Sequence, residues 1–534
     1  MKFNPTIYPY NSRRNVQYAK NGVVATGSPL AAQAGLDIMK QGGNAIDAAI
    51  ATAAALTVVE PSGCGIGGDA FAIISIKDEI YGLNSSGTSP ASISATELLN
   101  KGFKEMPKFG LTPVNVPGIP KAWAELSKRF GRLPLEKVLQ PAIDLAENGY
   151  SLPVNVGKLW KRAYNLYKQE KGEEFKHWFE TFTPDDKIPE IGDIIYLKDH
   201  AKTLRKLGET NCEDFYKGEI AEKIDAFSKK YGGYIRKEDL EGYEAEWVKP
   251  ISVNYKGYDV YEIPPNGHGI SALMALNILN NFQLKERENS DSYHKLIESM
   301  KLAFVDTQKY VADPKHMKVT IEELLSKDYA KKRASLIGEM AIMPEVGDPK
   351  SGGTVYLAAA DTEGNMISYI QSNYMGFGSG IVIPGTGISL QNRGNNFNLD
   401  LESPNCLGPN KRPYHTIIPG FLAKDGKSVG PFGVMGGFMQ PQGHIQMVTN
   451  TIDFMLNPQA ALDAPRWQWV GGKTIELEAA VPNHIALELS AKGHDIKVVH
   501  DSLMFGRGQI IWLLENGALC AGTEPRTDGT IALW

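Results

Sequence analysis

SGGTVYLAAAD, Ser351 to Asp361, places three small residues before Thr354 and a strand-like run directly after it. On spacing alone Thr354 is an ordinary strand-start residue, because Gly-Gly-Thr is a common string and threonine suits a pleated surface. A chemical reading stands beside this. If a strained Gly353–Thr354 bond cuts itself, the freed threonine holds both a hydroxyl and an α-amine that can take the hydroxyl's proton. One residue then supplies nucleophile and base.

Downstream of Thr354 the pattern is mainly of strands. Turns are expected at Asp361 to Asn365 and Asp425 to Gly426, and Asn516-Gly517 joins Gln509 to Leu514 with Ala518 to Cys520 as a hairpin. Upstream, from about Lys121 to Met340, the chain reads as mostly helical. Tyr293, Leu296, Ile297, Met300, Ala303 and Phe304 keep a helical period until Asp313 and Pro314 end it. Trp160 to Trp178 mixes aromatics with Lys and Glu and reads as a half-buried surface helix. Nearer the N-terminus, Ser28 caps and Pro29 opens a helix over Leu30 to Gln41, which Gly42 and Gly43 stop. Asn44 starts a second, Ala-rich helix that ends before Glu60 and Pro61. The tract Ala45 to Val59 contains Asp47 and falls short of the roughly 18 apolar residues of a membrane span, so it reads as a buried helix. Phe71 to Ile76 and Ile80 to Leu83 then form a hairpin.

Gly63-x-Gly65-x-x-Gly68 matches the dinucleotide fingerprint as a string, but a helix precedes it and strands follow. The fingerprint needs the reverse order, so that phosphates sit at a helix N-terminus. A tight helix-to-strand loop is the expectation instead. Length alone allows two to four domains or one large body. The 56 basic against 61 acidic side chains, net charge −5, argue against a nucleic-acid or membrane-surface partner. Cys64, Cys212, Cys406 and Cys520 lie far apart, so neither a disulfide framework nor a zinc motif is expected. The stretch around Arg13, Arg14, Asn15 and Gln17 lacks the features of a secretory signal, and the cytoplasm is the default compartment. Ten histidines show no metal-ligand spacing. His415 and His444 both sit in loop-like contexts, where structural and substrate-contact roles are evenly balanced. No Gly-x-Ser-x-Gly elbow is present.

Further stretches carry a resemblance over nearly the whole chain. They are GGNAIDAAIATAAAL (Gly42 to Leu56), GIGGDAF (Gly65 to Phe71), VPG (Val116 to Gly118), LPLEKVLQPAIDLAENG (Leu133 to Gly149) and FYKGEIA (Phe215 to Ala221). In the same order come GGYIRKEDLEGY (Gly232 to Tyr243), YKGYDVYEIPP (Tyr255 to Pro265), GFGSGIV (Gly376 to Val382) and MGGFMQPQGH (Met435 to His444). With them the sequence resembles the γ-glutamyltransferase family of N-terminal-nucleophile hydrolases. The resemblance implies an α+β fold, a four-layer α-β-β-α sandwich. It also implies cleavage between Gly353 and Thr354, leaving a large segment 1–353, mostly helical with part of the central sheets, and a small catalytic segment 354–534. Both stay in one fused body. By position, Thr354 resembles the nucleophile, Ser372 the hydroxyl that contacts and helps activate it, and Gly436 with Gly437 the oxyanion-hole backbone. No metal or organic cofactor is implied.

The departures concern the donor's head group. Ser86, in NSSGTSP (Asn84 to Pro90), stands where the family has an arginine for the α-carboxylate, and Asn396 stands where it has an acid for the α-amine. Tyr374 replaces an asparagine, His415 and Thr416 replace a serine pair, and Arg393 stands where a glutamine is common. Losing two charged partners weakens binding of a zwitterion by about 1.5–3 kcal/mol each when desolvated. QSNY (Gln371 to Tyr374), QNRG (Gln391 to Gly394) and RPYHTI (Arg412 to Ile417) are more similar to the acylase-like branch, which includes cephalosporin-acylase-like proteins. Arg393, with His415 or Tyr374, is therefore expected to receive a distal polar group of the acyl chain, such as the carboxylate of a glutaryl amide. The expected partners are a small acyl amide and water or an amine, with no nucleic acid and no membrane. A homo-oligomer of processed heterodimers stays open. Genuine glutathione hydrolysis or γ-glutamyl transfer is the alternative activity, and an inactive scaffold of the same fold is the alternative class.

Overall fold

A computed structural model describes residue 4 and residues 7–11, 14–344 and 353–534; Arg13, Ser351 and Gly352 lie outside them. Near the start, helix Pro29–Lys40 packs against helix Ala45–Val59. Asn44 caps the second helix by accepting from the amides of Ile46 and Asp47, while Asp47 accepts from the Asn44 amide at 3.0 Å. Every residue from Ala45 to Val59 is buried. Its alanines let neighbours approach on all sides, which is why no polar face is visible in the sequence. Ser28 holds the N-cap position of the first helix without a side-chain capping bond.

Two antiparallel seven-stranded sheets stack at the centre. The first runs Thr530–Leu533, Gly22–Thr26, Gly353–Asp361, Met366–Tyr374, Asp69–Ile76, Glu79–Ser85, Glu246–Val248. The second runs Gln17–Ala19, Leu519–Thr523, Arg507–Leu513, Lys427–Met435, Gly420–Lys424, Tyr258–Glu262, Ile251–Tyr255. Along Gly353–Asp361 the side chains alternate between two cores. Tyr356, Ala358 and Ala360 join Phe71, Ile73, Ile370, Phe421, Met435 and Ile511 between the sheets. Val355, Leu357 and Ala359 meet the layer that contains helix Ala45–Val59. A strand buried on both faces has no polar side, hence the unbroken run VYLAAA. Helices Gly269–Leu279, Ser290–Tyr310 and Met439–Ile452 contribute to the outer layer on the second sheet. The architecture is the α-β-β-α sandwich expected from the sequence.

Two readings are corrected and one is filled in. Trp160 to Trp178 is not one half-buried helix. It divides into helices Val154–Tyr167 and Lys176–Phe182, and both tryptophans are fully buried where their rings meet Phe182 and Phe377. The stretch read as mostly helical is so, but it also holds strands Glu246–Val248 and Ile251–Tyr255, each at a sheet edge, and Tyr258–Glu262 beside the latter. The third concerns His444, which lies on helix Met439–Ile452 rather than in a loop. Its Nδ1 pairs with Glu262 at 2.6 Å and the Val434 amide donates to its Nε2 at 3.2 Å, a structural assignment that joins helix to sheet. Among the described residues no helix is long and apolar enough to cross a membrane.

Candidate active site

Thr354 lies at the start of its strand, where the register shifts. Gly353 pairs with Tyr374 and Val355 with Gln371, so Ser372 and Asn373 both oppose Thr354. Such a bulge re-aims a side chain at the end of a ladder. The Thr354 hydroxyl donates to Ser372 Oγ at 3.2 Å, and both residues are buried. Ser372 Oγ also accepts from the Tyr374 amide at 2.7 Å. That bond holds Tyr374 at φ 78°, a left-handed conformation costing a non-glycine residue roughly 1–2 kcal/mol. The glycine loop lies directly behind. A Cβ on Gly68 would stand 2.5 Å from the Ser372 carbonyl oxygen and one on Gly67 2.4 Å from that of Ser389. Close backbone approach explains both glycines, and the loop does join a helix to a strand.

On the other side, strand Lys427–Met435 ends in Gly436 and Gly437, at φ 136° and 58°. These lead into helix Met439–Ile452, whose Gln440 Nε2 reaches Thr354 Oγ1 at 3.5 Å. Gln440 is held by its own Oε1, which accepts from the Ile418 amide at 2.9 Å. The glycine turn thus opens a helix whose first turn reaches the Thr354 hydroxyl through Gln440, and amides at a helix start favour negative charge.

The third wall is polar and buried. Arg393 Nη1 donates to Thr416 Oγ1 at 2.6 Å, and the guanidinium lies over the Tyr374 ring at 4.4 Å from its centroid. Arg393 is wholly buried, and its Nε and Nη2 have no hydrogen-bond partner among the described residues. Burial lowers its pKa to about 10, with Asp69 and Tyr374 opposing, so it keeps its charge at neutral pH. Burial likewise pushes the Tyr374 phenol up to about 12. Asn396 closes the short 3-10 turn begun by Arg393, and its buried Nδ2 is also unpartnered. The Ser86 hydroxyl donates to Asn84 Oδ1 at 2.7 Å, and its carbonyl accepts from Arg412 Nε at 3.1 Å. His415 turns instead to Asp69, with Nε2 to Oδ2 at 3.0 Å. Burial first, then Arg393, His268 and Arg412, hold His415 well below the usual imidazole range and so neutral. Thr354, Ser372, Tyr374, Arg393 and Thr416 are thus joined by successive contacts. Gly436 and Gly437 open the helix whose Gln440 reaches Thr354, Asn396 follows Arg393 in its turn, and His415 pairs with Asp69 behind.

The sequence profile described as Gamma-glutamyltranspeptidase matches residues 31–534. The chain belongs to the gamma-glutamyltranspeptidase family. It is 36% identical over 516 residues to the glutathione hydrolase-like YwrD proenzyme of Bacillus subtilis (strain 168), covering 94% of this chain and 96% of that protein. To the acylase ACY 1 proenzyme of Pseudomonas sp. (strain SE83) it is 32% identical over 545 residues, covering 98% and 96%. The crystal structure of cephalosporin acylase from Bacillus halodurans matches at TM-score 0.96 and 57% identity, over 100% of this chain and 99% of that one. The resemblance read from the motifs therefore holds for family and fold.

Two members of this gamma-glutamyltranspeptidase-family site were not singled out from sequence. Gln440 lies inside MGGFMQPQGH and Asp69 inside GIGGDAF, and each motif draws attention to its glycines. Elsewhere, His294, Glu298 and His494 are close enough to share a metal ion. The fully buried Lys301 ammonium already lies 2.7 Å from Glu298 Oε1, where a cation would compete with it. His294 Nε2 lies 3.0 Å from the Gly338 carbonyl oxygen and its Nδ1 2.8 Å from His494 Nε2, so neutral imidazoles account for that contact.

Proposed function

We propose that this chain is a self-cleaving amidohydrolase or acyltransferase of the acylase-like kind, acting through an acyl-enzyme on Thr354. In maturation the Thr354 hydroxyl attacks the Gly353 carbonyl carbon, the Gly353–Thr354 amide breaks as an ester forms, and water cleaves the ester. The products are segments 1–353 and 354–534, the second beginning with a free α-amine. In turnover that amine takes the hydroxyl proton as Oγ1 attacks a donor amide. The Gly436 and Gly437 amides stabilise the oxyanion, and the proton passes to the departing amine. Water or an amine then accepts the acyl group. Ser372 acts as a positioning group for the Thr354 hydroxyl, and the donor, a small acyl amide, is bound on the Arg393 wall.

One observation carries the choice of donor. Arg393 is a buried cation whose Nε and Nη2 lack partners among the described residues, stacked on Tyr374. A planar guanidinium with two open donor positions suits a carboxylate. An acyl chain ending in a carboxylate, as in glutaryl amides, meets that need, and the neutral Asn396 and Ser86 offer no charged partners for an α-amino acid. The test is kcat/KM of the processed protein on glutaryl-anilide and γ-glutamyl-anilide. A preference for glutaryl of about tenfold or more supports the reading, and equal rates refute it. A γ-glutamyl preference would favour the glutathione-hydrolase alternative, which the names of several relatives support. A chain that never cleaves would favour the inactive scaffold.

A further inference from the structure

Asp69 is the most connected side chain of the wall and has no part in the chemistry above. It is fully buried and pairs across the sheet with Ser372. Its Oδ1 accepts from the Gly87 amide at 2.9 Å and from Gln391 Nε2 at 2.8 Å, and its Oδ2 meets His415 Nε2 at 3.0 Å. Three separate segments therefore converge on one carboxylate. Two of them lead along the chain to Arg393, since Gln391 stands two residues before it and His415 precedes Thr416, which accepts from Arg393 Nη1 at 2.6 Å. We propose that Asp69 is the counter-ion Arg393 keeps while the site is empty, that a donor's carboxylate replaces it, and that the Asp69–His415 pair takes up one proton as the donor binds. The inference rests on the Arg393 reading given above.

Two buried carboxylates beside one guanidinium cannot both stay ionised cheaply, because each loses hydration and repels the other. Burial already pushes the Asp69 carboxyl up to about 6, with Arg393 the strongest opposing influence. A ligand carboxylate on Arg393 weakens that opposition and moves the titration toward neutrality. The other groups facing the pair do not titrate there. Arg393 and Arg412 remain cationic, and burial holds His268 at about 3 and Tyr243 above the ordinary phenol range. The proton comes from solvent, resides on the hydrogen-bonded pair, and returns when the acyl group leaves. The pair titrates as a unit, so the proton is assigned to it rather than to one atom.

The experiment is titration calorimetry of the processed wild-type protein with glutarate at pH 6.5 to 7.5, in two buffers of different ionisation heat. The expected result is net proton uptake and affinity rising up to about tenfold per unit fall in pH. Asp69→Asn should abolish uptake and flatten the pH dependence. Should that variant fail to fold, the wild-type buffer comparison decides alone. Glutarate that requires Arg393, judged by Arg393→Gln, yet binds without proton uptake overturns the role of Asp69 and leaves the Arg393 reading standing. Glutarate that does not bind, or binds Arg393→Gln equally well, overturns both.

Discussion

The Thr354 hydroxyl has a donor path to Ser372 and a neighbour in Gln440, so its orientation is fixed before any substrate arrives. Thr354→Ala should abolish both cleavage and turnover, seen as one uncut chain under denaturing mass spectrometry and no release of anilide. Appreciable turnover by that variant would refute the mechanism. Ser372→Ala removes a positioning contact without touching the oxyanion turn, so kcat should fall about ten- to a hundredfold with KM little changed. Thr354 was singled out by the family resemblance, because on spacing alone it reads as an ordinary strand start, and Arg393 stood out as a charge where the family commonly has a glutamine. The role of His415 was not legible, since its partner Asp69 lies 346 residues away and no local pattern reports so distant a bond.

At the scale of elements, the site depends on how two strands end. Strand Gly353–Asp361 begins at a bulge, and strand Lys427–Met435 ends in two left-handed glycines. A Cβ on Gly436 would meet Gly506 Cα at 3.1 Å, at a φ that side chains rarely adopt. Gly436→Ala should therefore lower kcat about a hundredfold and stability by about 1–2 kcal/mol, measured by steady-state rates and the urea midpoint. Caps and glycine stops made the two N-terminal helices readable, the apolar period did so for Ser290–Tyr310, and the turn signals did so for the late hairpins. Strands Ile251–Tyr255 and Tyr258–Glu262 were not readable, because they are short segments at and next to a sheet edge whose partial burial comes only from the assembled sandwich. The Trp160 to Trp178 stretch hid its burial for a related reason. Its charged residues gave it a surface look, while Phe377, far along the chain, supplies the surface that covers the tryptophans.

Across the whole molecule, residue 354 does not mark a structural boundary, since each sheet takes strands from both sides of it. Cleavage should leave one species that migrates as a single particle natively, unfolds in one transition and yields two chains only in denaturant. Native and denaturing mass spectrometry with a calorimetric scan would check this. The same interleaving bears on biosynthesis. Strand Gly22–Thr26 is paired on one side by Gly353–Asp361 and on the other by Thr530–Leu533, about 500 residues later in the chain. At roughly 5–20 residues per second a ribosome needs about 25–100 s to supply that last neighbour. Through that interval the nascent apolar strand has open edges that invite wrong pairing, so the yield of folded protein should rise when chaperones are co-expressed. It also means that Thr354 leaves the ribosome before its sheet is closed and before Gln440 and the glycine turn exist. If the chain cuts itself as proposed, cutting should follow complete synthesis, and a truncated chain that lacks Thr530–Leu533 should stay uncut under denaturing mass spectrometry.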